Sequence, residues 1–180
     1  MLESLKEALT HMTSHDIRIF GDPVLTSRAD EITTFDDSLK HLVEDMLDTM
    51  DAAGGVGLAA NQIGVLRRVF VFDCTTEEDG MRGHIINPKW EPVGEETQLG
   101  PEGCLSIPEV LADTERYQTV RVTGYDYDGN PLTITASGLM ARCIQHETDH
   151  LDGVLFLRRL TPERRKEAMA YIRQADWFNK

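Results

Sequence analysis

The stretch SGLMARCIQHETDHL, residues 137–151, decides how this chain reads. Ser137 is a helix-capping residue type. At 3.6 residues per turn, Leu139, Cys143, His146 and His150 then share one face, and Met140, Ile144, Glu147 and Leu151 share the next. Apolar residues over so wide an arc predict a buried helix. His146-Glu147-x-x-His150 sets two imidazoles one turn apart, where both reach one metal ion and Glu147 faces its open side. The competing reading, two solvated histidines on a surface helix, is disfavoured by Ile144 and Leu151, which imply burial.

Working outward, residues 119–127 and 131–135 read as a hairpin turning at Asp128-Gly129-Asn130, and Val69–Phe72 as a short strand. Residues 36–53 read as a helix capped by Asp36 or Asp37, with Leu39, Leu42, Val43, Met46, Leu47 and Met50 in one stripe and Gly54-Gly55 at its end. Downstream, Thr161-Pro162 opens a further helix over 161–178. Strands grouped between helices give an α+β class. The 180 residues predict one catalytic domain spanning 1–180, with 1–16 as an N-terminal extension.

Composition narrows the function. Leu2, Leu5, Leu9 and Met12 recur at helical spacing among charged residues, unlike the apolar segment of a signal peptide. No apolar run approaches the ~20 residues of a membrane span. Three cysteines are too few for a disulfide framework and predict a reducing, cytoplasmic setting. A net charge of -13 argues against general nucleic-acid binding, and no sequence-specific nucleic-acid contact is expected. Between 158 and 173, however, Arg158, Arg159, Arg164, Arg165, Lys166 and Arg173 face only Glu163 and Glu167. Such sign asymmetry suggests that this end meets a polyanion.

A catalytic metal site needs a third protein ligand and an open position. One metalloprotease pattern continues to a third histidine, but Phe156 stands at that place. Glu163 and Glu167 are available on a following helix among basic residues, on what reads as an exposed surface. Cys143 lies two turns before His150, roughly 10 Å along the axis, and suits a pocket wall better. Cys104, in PEGCLSIP (residues 101–108), is favoured: glycine before it and proline after it allow a sharp loop presenting a thiolate. A third element, GGVGLAANQ (residues 54–62), contains a G-x-G-x-x-A pattern, yet it follows a helix where a nucleotide fingerprint follows a strand.

Together, GVGLAANQ (55–62), EGCLS (102–106) and His146-Glu147-x-x-His150 resemble, in order, the three motifs of the peptide deformylases. The resemblance covers roughly residues 17–160. It implies mixed, largely antiparallel sheets around the metal-binding helix, and removal of the formyl group from N-terminal formylmethionine of nascent chains. The implied ligands are Cys104, His146 and His150, the implied base is Glu147, and Gln62 with the Leu105 N–H would hold the carbonyl oxygen. The metal expected is ferrous iron, with zinc, nickel or cobalt also suited to such a ligand set. An apolar pocket for the methionine side chain is expected from Val56, Gly57, Leu139 and Cys143. The resemblance also implies ribosome association, for which Lys166 and Arg173 would point outward while Ala168, Ile172 and Ala175 pack on the domain.

Overall fold

A computed structural model describes residues 14–180, so the apolar spacing read in the first twelve residues lies outside the described part. Helix α1, Asp37–Ala53, starts where Asp36 accepts a hydrogen bond from the Leu39 N–H. It ends at Gly54, whose left-handed φ of 69° returns the chain's N–H to Met50 and Asp51 carbonyls. Seven strands follow in two sheets. Strands β1 (Gly57–Ala59), β2 (Val69–Asp73), β3 (Arg82–Pro92), β6 (Thr119–Tyr125) and β7 (Pro131–Ser137) form one in the order β1-β2-β3-β6-β7. Strands β4 (Thr97–Cys104) and β5 (Ile107–Tyr117) form the other. Every pairing between these strands is antiparallel, and an isolated parallel bridge joins Asp30 to Arg67.

The apolar run in β2 is buried on both faces because helices cover both. Alternation sends Val69 and Val71 into the cluster with Leu39, Val43, Met46 and Met50 of α1. Phe70 and Phe72 go the other way, against Met140, Ala141 and Ile144 of helix α2, Gly138–Leu151. The histidine-bearing helix is therefore an inner layer, as its sequence requires. Ser137 occupies the position before it, but its hydroxyl bonds that of Thr119 at 2.7 Å, not the helix backbone.

Two expectations shift in detail. PEGCLSIP is not a free loop: β4 runs through Cys104, the chain turns at Leu105-Ser106, and β5 starts at Ile107, paired with Cys104. The two prolines are compatible because both strands of this two-stranded sheet are edge strands, and Pro108 lies where the ladder breaks register between Glu102 and Cys104. The C-terminal helix α3 spans Pro162–Gln174, shorter than 161–178, with Thr161 capping it and Ala175 ending it. Ala168 and Ile172 pack with Ile107, Val110, Leu155 and Phe156, so α3 lies beside β5.

Candidate active site

Four segments distant in sequence meet at the inner face of α2. The end of β4 delivers Cys104, α2 delivers His146 and His150, and donor atoms of these three lie within 4.8 Å of one another. His150 Nε2 stands 3.2 Å from His146 Nε2 and 3.3 Å from Cys104 Sγ. Ligands at metal–nitrogen and metal–sulfur distances in a tetrahedron lie roughly 3.3–3.6 Å apart, so the spacing fits a transition-metal ion. The soft thiolate and two imidazoles suit iron, zinc, cobalt or nickel better than calcium or magnesium. Glu163 and Glu167 are exposed and are not in the cluster. Phe156, at the place of a third histidine, packs its ring 6.0 Å from that of His146 and offers no ligand atom.

His146 is held from behind. Its Nδ1 is 2.8 Å from Glu102 Oε2, and Nδ1–H donation there aims the Nε2 lone pair at the cluster. Glu102 is buried, which alone would raise its carboxyl pKa, but hydrogen bonds from His146 and Arg116 outweigh burial and hold it well below the usual carboxylate range. Arg116 donates to both of its oxygens at 3.0 and 2.7 Å, and Arg142 adds a third bond at 2.9 Å. Arg116 also reaches Asp149 at 2.8 Å, and Asp149 accepts two bonds from Arg159. Burial lowers the His150 pKa, and the neighbouring His146 pushes it further down, so His150 offers a neutral ring.

Glu147 is set apart from this network. It is 4% exposed, its Oε1 lies 3.9 Å from His146 Nε2, and its Oε2 is buried without a hydrogen-bond partner. Burial pushes its pKa up to about 7, with the Glu102 charge adding to the shift against His146 and Arg116. Gly57 of β1 makes its place: a Cβ there would stand 2.7 Å from Glu147 Oε1 and 2.8 Å from Cys143 Sγ. Gln62 is fixed by accepting from the Ala59 N–H at 2.9 Å and donating to Ser106 Oγ at 3.0 Å, which leaves its amide nitrogen 3.6 Å from Cys104 Sγ.

A cavity of about 420 Å³ opens beside these groups. Gly57, Leu139 and Cys143 line it, together with Leu105, Ile107 and Val110. Val56 lies at its rim, 43% exposed. Sequence reasoning did not assign roles to Glu102, Arg116, Arg142 or Asp149. Glu102 and Asp149 stood inside the quoted motifs, so a search for carboxylates beside ligand histidines would have found them. Arg116 carries no local signal, because only the β4–β5 pairing brings it to Glu102.

Comparison with known proteins agrees with this geometry. The family model described as polypeptide deformylase matches residues 14–166. "Peptide deformylase 1" of Corynebacterium efficiens is 69% identical over 169 residues, covering 94% of this chain and 100% of the relative. The protein of the same description from Corynebacterium glutamicum is 66% identical, with the same coverage. The crystal structure of peptide deformylase from Ehrlichia chaffeensis in complex with actinonin superposes with a TM-score of 0.84 at 37% identity, over 91% of this chain and 98% of that one.

The raised pKa of Glu147 has a consequence for stability. A carboxyl moved up from 4.5 to about 7 on folding leaves stability intact below pH 4.5 and lowers it progressively between pH 4.5 and 7, because the unfolded chain ionises first. In metal-free protein, Glu147→Gln should therefore add nothing near pH 4.5 and up to about 3 kcal/mol above pH 7. Urea unfolding across this range checks it, and a gain independent of pH would contradict the assignment.

Proposed function

The chain belongs to the polypeptide deformylase family, and from that premise we propose how its residues carry the reaction. It is a metal-dependent hydrolase that removes the formyl group from the N-terminus of nascent chains. In our reading the whole chain forms one catalytic domain acting in the cytoplasm, where the thiols of Cys74, Cys104 and Cys143 stay reduced. Among the described residues, no helix is long and apolar enough to cross a membrane.

Cys104, His146 and His150 hold one divalent ion, ferrous iron in this reading, with zinc, nickel or cobalt able to take its place. When bound, that ion supplies Lewis acidity and lowers the pKa of water towards 7. Glu147 takes the proton of the attacking water and returns it to the leaving nitrogen, which its pKa near 7 suits. The C–N bond breaks, releasing formate and a free α-amine. Gln62 and the Leu105 N–H donate to the formyl oxygen as negative charge develops there. Donors fixed beforehand lose little on reaching the transition state, and Gln62 is fixed by accepting from the Ala59 N–H and donating to Ser106 Oγ. The methionine side chain occupies the apolar space between Gly57, Leu139 and Cys143, with Val56 at its edge.

The observation that carries this reading is one unpartnered buried carboxylate beside three converging metal-ligand atoms at the head of an apolar cavity. Formate release from a formyl-Met peptide after anaerobic metal reconstitution tests it. Glu147→Ala should keep its metal and lose activity by about 10²-fold or more. Comparable rates in variant and wild type would sink the mechanism.

We also propose that α3 contacts the ribosome. Lys166 and Arg173 are exposed and Ala168, Ile172 and Ala175 buried, which gives the helix a basic outer side. Arg159 adds less to that side than its sequence position suggests, because it pairs with Asp149. Changing both Lys166 and Arg173 to Glu should weaken ribosome co-sedimentation in a salt-dependent way while short peptides are still hydrolysed. Unchanged co-sedimentation at low salt would leave the helix a solvated face.

A further inference from the structure

Cys74 and Cys143 are buried free thiols, and the reaction described above gives Cys74 no task. Strand β2 sends Phe70 and Phe72 towards α2, and the same alternation, carried one residue past its end, turns Cys74 the same way. Cys143 faces it from α2, and both belong to one buried cluster. A shared carbonyl fixes their relation: Val56 O accepts from the Asp73 N–H at 2.9 Å, and Cys143 Sγ stands 3.6 Å from the same oxygen. The thiol of one cysteine and the residue before the other thus meet at a single atom. The two thiols also interact directly. Hydrogen bonding to Cys143 holds the Cys74 pKa below the ordinary thiol range although burial opposes it, and the same bond together with burial pushes Cys143 up.

The pair has one open side. Cys74 is wholly buried, whereas Cys143 lines the substrate cavity. The Cys143 sulfur also borders the reacting acid: Cys143 Sγ and Glu147 Oε1 lie 2.8 and 2.7 Å from the point that a Cβ on Gly57 would occupy. A small oxidant entering the cavity therefore meets Cys143 first, and a change at that sulfur alters the wall beside Glu147.

We propose that Cys74 and Cys143 form a dithiol modification site, which a peroxide closes to a disulfide and which slows turnover when closed. The Cys143 sulfur bonds to one oxygen of hydrogen peroxide, the O–O bond breaks, and the other oxygen leaves as water with the thiol proton. Cys74, whose thiolate forms more easily, then attacks the sulfenic acid. The S–S bond forms, the S–O bond breaks, and hydroxide departs with the Cys74 proton as a second water. The two thiols lose two electrons, and the peroxide takes them up. The raised pKa of Cys143 makes the first step slow, so a reducing cytoplasm keeps both thiols free and closure answers to oxidative stress. Bond formation draws Cys143 Sγ towards Cys74 and reshapes the apolar wall that places the methionine side chain. The disulfide does not depend on the deformylase reading; only its effect on turnover does.

The test uses the zinc-loaded enzyme, because zinc has no redox chemistry of its own. After treatment with hydrogen peroxide and alkylation of the remaining thiols, digestion should yield the Cys74 and Cys143 peptides joined and two hydrogens lighter than their sum. In parallel, kcat/KM for a formyl-Met peptide should fall by about tenfold or more, as expected for a misplaced substrate, and a thiol reductant should restore it. Cys74→Ala should match wild type before treatment and keep its rate after it. Linkage and recovery are read on wild type alone, so they stand whether or not the variant folds. No linked peptide, a linked peptide with unchanged kcat/KM, or an equal loss in Cys74→Ala would overturn the proposal and leave Cys74 a small buried core residue. Absence of turnover before any oxidation would instead contradict the deformylase reading, with the linked peptide still deciding whether the pair closes.

Discussion

Glu102 gives up its hydration to stand 5% exposed among Arg116, Arg142 and His146, and this buried acid is the constraint on which the site depends. Desolvating a carboxylate is costly unless its oxygens are fully engaged, and here both oxygens accept charge-assisted bonds. The pairs join β4, β5 and α2 at one point. They also fix His146: with Nδ1 directed at Glu102, the ring presents Nε2 to Cys104 and His150. Removing Glu102 would leave the buried guanidinium charge of Arg116 and Arg142 undercompensated. The network extends through Arg116 and Asp149 to Arg159, linking the metal-binding helix to the chain that follows it.

The Glu147 side of the site is arranged in the opposite way. Glu147 has no cationic partner in hydrogen-bond contact, and one of its oxygens is buried unpaired. That environment costs stability and keeps the carboxyl near the pKa that proton transfer at neutral pH requires. Glycine at 57 is part of the same arrangement, since any side chain there would displace Glu147 or Cys143. On this one helix Arg142, His146 and Asp149 are paired, whereas one Glu147 oxygen is not.

Much of this was legible in the sequence, for physical reasons that differ by element. Helix α1, strand β2 and the β6–β7 hairpin announced themselves through local signals: a capping aspartate, an apolar run between turns, and a glycine-bearing turn. The Cys104, His146 and His150 cluster was readable as a candidate because the two histidines lie one turn apart and because Cys104 sits in a motif of its own. Strands β3, β4 and β5 were not delimited, since Pro88, Pro92, Pro101 and Pro108 interrupt their patterns and register shifts absorb the interruptions. The partners of Glu102 were hidden for another reason: Arg116 and Arg142 lie 14 and 40 residues away, and only strand pairing and helix docking bring them together. Gln62 likewise finds Ser106 at a separation of 44 residues.

If Glu102 organises the metal site through His146, weakening the bonds of its carboxylate should be felt at the metal without touching a ligand. Competitive metal titration of Glu102→Gln against wild type, on protein verified as folded, measures this directly. The nearly isosteric amide keeps the volume and loses the charge. We predict metal affinity lower by about 10- to 100-fold, the range for removing a partner of a ligand histidine. Affinity equal to wild type would contradict the central role given to this buried acid.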